Sequence, residues 1–362
     1  MLLKFFHRIP VNLFFCTLLA IGLPQVFAQT SGPEFPGASW RIASKDASGW
    51  SSLDLAKADD IARAIRTDAY MVIHKGVVVH EFGDTAAASN LHSVRKSVLS
   101  VLTGIYVEKR LINLDSTLKD LSIDDKDGLS ASELQATVRQ LLQAKSGIYH
   151  RSAYEPPEVT AAHPPRGAFK PGEKFEYNNW DFNALGTIFN RGVGKSVFDS
   201  LRDDLAKPLQ FQDFSSFLHT KWVYERVLSQ HPAYEIQLSA RDLARIGLLM
   251  ARDGRWLDTQ VVPADWVRES TTSYSIVRPG IGYGYMWWVG ENNFHFGQKF
   301  PGRVFSGSGN HGQYLIVDPK RDLVIVHRVN SKKSGHANIT NREFNPLLAQ
   351  ILTAGPQLLL SR

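Results

Sequence analysis

Residues 70–82, YMVIHKGVVVHEF, hold two β-branched apolar runs on either side of Lys75-Gly76, which predicts a β-hairpin. From residue 93 to 108 the apolar positions Val94, Val98, Val101, Leu102 and Ile105 recur every three or four residues, the period of a helix with one buried face. Helical character continues through 113–121, 136–142, 180–190 and 240–252, so the stretch from 93 to about 260 reads as helix and loop. Strand-like runs return at 283–290 (YGYMWWVG), 313–318 (QYLIVD) and 322–329 (DLVIVHRV), with turn chemistry at Pro319-Lys320. A closing helix is expected over 341–353. Strands at both chain ends around a helical insertion predict an α+β fold. Its antiparallel sheet with flanking helices would come from residues 29–92 and 281–362, and a mainly helical domain from 93–280. A site is expected in the crevice between them.

The composition, 43% hydrophobic and 21% charged over 362 residues, is that of a folded chain large enough for one big core or two. The first 28 residues stand apart: Lys4 and Arg8 precede an apolar run at 11–23, followed by Pro24 and the small-residue site Val26-Phe27-Ala28. This is the pattern of a secretory signal peptide cleaved after Ala28, and the run is shorter than the ~20 residues of a spanning helix. A periplasmic or secreted protein with no stable membrane span is therefore expected. The single cysteine, Cys16, leaves with the signal, which excludes disulfides, thiolate metal sites and a cysteine nucleophile from the mature chain. Loss of Lys4 and Arg8 lowers the formal net charge from +6 to about +4. The remaining cations are scattered among acids, so no nucleic-acid partner is indicated.

Three segments carry candidate chemistry. In Ser93-Val94-Arg95-Lys96 a serine and a lysine sit at i and i+3, on one helix face with Cβ atoms ~5–6 Å apart. A lysine made neutral by burial can take the serine proton, and the helix N-terminus favours an oxyanion. The tetrapeptide alone fits an N-cap serine with a solvated lysine equally well. In Tyr177-Asn178-Asn179, just before a helix, a phenol and a carboxamide can project together. Tyr177 can relay a proton if a nearby ammonium lowers its pKa, and Asn179 can bind a substrate carbonyl; a plain capping loop has the same residues. In 304–319, VFSGSGNHGQYLIVDP, glycines entering a strand permit close backbone approach and a second oxyanion N–H, or simply a tight turn.

Taken in order, S-x-x-K, Y-x-N and a late Gly/Ser strand resemble the serine β-lactamase and penicillin-binding-protein superfamily. More closely, it is similar to the class C β-lactamase-like serine hydrolases, which include esterases, D-aminopeptidases and 6-aminohexanoate-dimer hydrolases. TVRQLLQAKSGI (137–148), FKPGEKFEYNNWDFNALGTIF (169–189), KPLQFQDF (207–214), SARDLARIGLLMARDGRW (239–256) and GQYLIVDPKRDLVIV (312–326) extend the likeness over roughly 65–350.

The resemblance implies a β-lactamase/transpeptidase-like fold, with Ser93 as acylated nucleophile, Lys96 as its base and Tyr177 as proton shuttle. Asn179 would be a substrate or network residue. The chain departs from the family's lactamases at the third motif, where Lys-Thr-Gly is replaced in either of two registers, Phe305-Ser306-Gly307 or Gly307-Ser308-Gly309. The second is preferred because it sets Asn310 at the second oxyanion N–H, with Ser308 and Gly309 beside the substrate. Neither register keeps the lysine that would grip a β-lactam or peptide carboxylate. His311 is a candidate for part of that polarity. Trp180, Trp287 and Trp288 are candidates for an apolar acyl pocket, or for plain core packing.

The expected protein is a serine hydrolase forming an acyl-enzyme on Ser93 and cleaving a small ester or short amide, with no cofactor. The alternatives are a penicillin-recognising D-peptidase or weak β-lactamase, and a non-catalytic protein that binds wall fragments. No G-x-S-x-G elbow, H-E-x-x-H motif, P-loop or dinucleotide fingerprint is present to support another chemistry.

Overall fold

The structure is a computed structural model that describes residues 34–44 and 49–356. The signal-peptide expectation for residues 1–28 lies outside the described residues.

The expected hairpin is present as β1 (Ala69–His74) and β2 (Val77–Gly83). Lys75 and Gly76 both take positive φ, 53° and 83°, as a tight primed turn requires. A side chain at Gly76 would also run into the Glu34 carbonyl. Three strands then form a small separate sheet: β3 (Ser89–Asn90), β4 (Thr220–Val223) and β5 (Ala233–Leu238), in the order β3-β5-β4. Two of its strands, β4 and β5, lie within the stretch from 93 to about 260 expected to be helix and loop. The main sheet is completed by β6 (Ser275–Arg278), β7 (Ile281–Tyr283), β8 (Trp288–Gly290), β9 (Phe305–Gly309), β10 (Gln313–Asp318) and β11 (Leu323–Arg328). Its order is β2-β1-β11-β10-β9-β8-β7-β6, antiparallel throughout.

Helices cover both faces of this sheet. On one side α1 (Ser52–Ala64) packs with the closing helix; on the other lie α2 (Val94–Glu108), α3 (Val138–Leu142), α4 (Asn179–Val193), α5 (Ala240–Ala251) and α6 (Ala264–Ser270). The closing helix is α7 (Asn341–Ala354). The central strands alternate between the two cores. Met71, Ile73, Leu315, Val317, Val324 and Val326 face the side of α2 and α5, whereas Tyr70, Val72, Tyr314, Ile316, Leu323 and Ile325 face α1 and α7. A strand buried on both faces has no polar alternation, which is why these segments read as continuous apolar runs.

Two local expectations fail. Residues 113–121 form consecutive turns instead of a helix. Asp120 accepts from both the N–H and the hydroxyl of Thr117, and Asn113 accepts from the Asp115 N–H, so short polar side chains take over the backbone donors. Residues 283–290 are two strands, β7 and β8, joined by a turn in which Met286 has φ 61°. The turn carries no polar signal because it is buried: Tyr285 N–H donates to Ser270 and Met286 N–H to Leu142. No helix among the described residues is long and apolar enough to cross a membrane.

Candidate active site

β3 delivers the chain to a sharp corner. The Asn90 side chain accepts from the His92 N–H at 2.9 Å, and His92 takes φ 47° immediately before Ser93. Ser93 then occupies the N-cap of α2 but makes no side-chain cap bond. Its hydroxyl is thus left for Lys96, one turn on, whose Nζ lies 2.9 Å from Ser93 Oγ. The solvated-lysine reading is overturned, since Lys96 is only 2% exposed.

The second segment meets this pair from the start of α4. Tyr177 OH lies 2.6 Å from Lys96 Nζ, and Asn179 Oδ1 lies 2.7 Å away. The amide of Asn179 is oriented by its Nδ2 donating to the Tyr154 carbonyl at 2.6 Å. Asn178, between them, caps α4 by accepting from Asp181 N–H. Because Asn179 Oδ1 only accepts, it takes one N–H of a neutral Lys96. One N–H and one lone pair remain, and they match one hydroxyl that donates and one that accepts.

Burial, reinforced by the adjacent Arg95 guanidinium and opposed by Glu155, holds the Lys96 ammonium well below the ordinary lysine range. Tyr177 differs from expectation. Burial pushes its phenol up to about 12, only partly offset by the Ser93 hydrogen bond and Arg95. With Lys96 as an amine, no ammonium is available to pull Tyr177 down, so amine and phenol are both neutral at rest.

β9 lies flush on the start of α2. A Cβ built on Gly309 would stand 2.9 Å from Ser93 N and 2.6 Å from the Leu91 carbonyl, and one on Gly307 would stand 3.0 Å from Ser97 Oγ. Ser93 sits where two hollows meet. One, of about 300 Å³, is walled by His92, Arg95, Tyr154 and Glu155; the other, of about 270 Å³, by Trp288, Ser308, Gly309 and Tyr314. Asn310 and His311 line both, and Asn179 lines the first. Of the two registers, Gly307-Ser308-Gly309 is the one at the site, since Ser306 is buried and bonded to His295 Nε2 at 2.8 Å.

The tryptophans divide. Trp288 stacks on Tyr177 with ring centres 5.6 Å apart and reaches the second hollow. Trp180 does not reach the substrate space: it is fully buried and donates its indole N–H to Asp125 at 2.6 Å, because the first turn of α4 points it into the helical core. Trp287 is likewise buried, edge-on to Phe305. His311, at φ 66°, lies 3.2 Å from His336 through its Nδ1. Sequence reasoning missed His92, Tyr154 and Glu155, which carry no motif, and passed over Arg95 although it stands inside the tetrapeptide. Among the described residues no group of three or more His, Cys, Asp or Glu side chains is placed to hold a metal ion.

A family model described as Beta-lactamase matches residues 54–350. The chain is 36% identical over 101 residues to the 6-aminohexanoate-dimer hydrolase of Paenarthrobacter ureafaciens, covering 25% of this chain and 24% of that protein. It is 26% identical over 187 residues to Protein flp of Staphylococcus aureus (strain MW2), covering 45% of this chain and 35% of that protein. The matches thus span about a quarter and about a third of these curated relatives. Among solved structures, a penicillin-binding protein homolog from Caulobacter crescentus superposes with a TM-score of 0.62 at 18% identity, over 84% of this chain and 99% of the other. A class C β-lactamase mutant superposes with a TM-score of 0.60 at 16% identity, over 84% and 98%. These two likenesses are of fold. With the family model spanning both halves of the sheet and the helices between them, the chain belongs to the β-lactamase family and has the fold of its solved members.

Proposed function

We propose that this protein cleaves a small ester or short amide through an acyl-enzyme on Ser93. The observation that carries this reading is the placement of one buried amine, Lys96 Nζ, within 2.9 Å of Ser93 Oγ, 2.6 Å of Tyr177 OH and 2.7 Å of Asn179 Oδ1. In the proposed reaction Ser93 Oγ attacks the substrate carbonyl carbon while its proton passes to Lys96. The backbone N–H groups of Ser93 and Asn310 receive the developing oxyanion. Tyr177 gives its proton to the departing alkoxide or amine and takes one from Lys96, so both groups return to neutral. Water, activated by the same pair, then releases the acid.

The reading is tested by intact-protein mass spectrometry of the native chain and Ser93→Ala after exposure to p-nitrophenyl butyrate, a fluorophosphonate and benzylpenicillin. Adducts from the first two on the native protein, absent in the variant, are expected. Penicillin should acylate poorly, because the second hollow, where the Gly/Ser strand lies, is walled by no lysine or arginine that would meet its carboxylate. Prolonged penicillin labelling would favour the D-peptidase or lactamase reading, and no adduct from any reagent would favour a wall-fragment binder.

Tyr177→Phe should keep the fold but lower ester turnover by about a hundredfold or more, the usual size of a general acid–base contribution. The loss should shrink for esters with acidic leaving groups, which need no proton to depart. Equal losses for p-nitrophenyl and alkyl esters would remove Tyr177 from the relay.

A further inference from the structure

The first turn of α2 carries two cations in succession, and both are buried: Arg95 is 1% exposed and Lys96 2%. The acylation chemistry uses only Lys96. Arg95 forms no ion pair among the described residues, and its Nε and Nη1 have no hydrogen-bond partner. Its hydrogen bond from Nη2 to Asn183 Oδ1 is long at 3.4 Å. The guanidinium instead lies 4.4 Å over the ring of Tyr234 and 5.7 Å from that of Tyr154. Aromatic faces stabilise a cation without neutralising it. A buried guanidinium that lacks a carboxylate is costly, and a guanidinium cannot shed its proton to escape that cost as a lysine can.

The surroundings show where the charge acts. The loop after Gly147 presents Tyr154 and Glu155, the start of α4 presents Tyr177 and Asp181, β5 presents Tyr234, β7 presents Tyr283, and His92 precedes the nucleophile. Burial keeps the Asp181 carboxyl well above the usual carboxylate range and the Tyr177 and Tyr234 phenols at about 12, and it raises Tyr283 as well. His92 is held down to about 3, chiefly by burial. Glu155 supplies the facing carboxylate, which accepts from the Asn179 N–H at 2.7 Å and the Thr160 hydroxyl at 2.9 Å. Glu155 also lies 3.6 Å from His163 Nε2, and none of its contacts is a hydrogen bond or ion pair with Arg95.

We propose that Arg95 is a positioning residue acting through Lys96: its unpaired buried charge adds to burial in keeping the neighbouring side chain an amine, ready to take the Ser93 proton. The proposal rests on the reading of Lys96 as the base for Ser93. It assigns a role to the third residue of the tetrapeptide, whose side chain hydrogen-bonds to Asn183 and not to the nucleophile.

The test is the rate of Ser93 phosphonylation by a fluorophosphonate from pH 5 to 10, read by intact mass, for the native chain, Arg95→Met and Arg95→Gln. In this step the Oγ–P bond forms, the P–F bond breaks, fluoride leaves and the Oγ proton passes to Lys96. Both variants should move the acidic limb up by about one pH unit or more, the usual effect of a nearby like charge. Their rate on that limb should fall about tenfold, with the alkaline plateau within severalfold of native. Their melting temperatures should be no lower than native, because an uncompensated buried charge has been removed. An unmoved limb, or an equal loss at every pH, would overturn the proposal. Failure of both variants to fold would also overturn it, since a charge that only tunes its neighbour is dispensable for folding. A native protein that takes no label on Ser93 would instead sink the acyl-enzyme reading on which the proposal rests.

Discussion

Lys96→Met should lower the rate of Ser93 acylation by at least about a thousandfold while leaving a folded protein, the scale on which removal of a nucleophile's base is felt. Lys96 Nζ is shared by the contacts to Ser93, Tyr177 and Asn179. Methionine matches the length of the stem and fills the buried space, but it has no lone pair basic enough to take a proton. The same substitution should change how stability depends on pH, and the sign follows from the lowered Lys96 value. In the unfolded chain a lysine stays protonated to about 10.4. Between the lower folded-state value and that point the unfolded state binds the extra proton, so native stability rises with pH across this window. The variant lacks this contribution. Melting curves from pH 7 to 10 should therefore show native minus variant melting temperature increasing with pH. A flat difference would mean that Lys96 is already an ammonium in the folded protein, and unimpaired acylation would mean that another group takes the proton.

Gly309→Val should cost at least about a hundredfold in acylation and also reduce stability, for a reason that lies wholly in close approach. The added Cβ would press on the Leu91 carbonyl at 2.6 Å, on Ser93 N at 2.9 Å and on His92 Cβ at 3.2 Å. β9 is held in place by β10, because Ser308 and Gly309 are paired with Tyr314 and Gln313. The corner that holds Ser93 must move instead, and a displacement near 1 Å at a reacting atom typically costs about a hundredfold. Overpacking of this kind destabilises by about 1–3 kcal/mol. Gly37→Ala is the matched control, since nothing lies within 4 Å of a Cβ there. Activity and melting temperature measured on both variants decide the matter. A Gly309→Val protein as active as Gly37→Ala would mean that β9 does not brace the nucleophile.

Much of the site is legible in the order of residues alone. Ser93 and Lys96 need only the helical period, because i and i+3 share a face wherever the helix lies. The hairpin at Lys75-Gly76, the paired strands 313–318 and 323–328 and the closing helix all carry their own local signals, and each is where the pattern puts it. Tyr177 and the Gly/Ser strand are recognisable as partners of Ser93 only through likeness to a family, since nothing in their own spacing ties them to the nucleophile.

The reactive side chains and the elements that carry them are thus written locally in the chain. Their chemical state is set by packing between distant segments. Tyr177 reaches Lys96 across 81 positions of chain, and the burial that makes the amine and keeps the phenol protonated is assembled from segments equally distant. The same holds for Trp180, an apparent pocket residue that packs inward on Asp125, and for the buried turn after Tyr283, whose donors are satisfied by Ser270 and Leu142. The register of the Gly/Ser strand and the unpaired charge of Arg95 are likewise fixed by contact. Periodicity encodes which face of an element is buried, whereas desolvation, uncompensated charge and the fit of a glycine against a nucleophile depend on what is packed there from elsewhere in the chain.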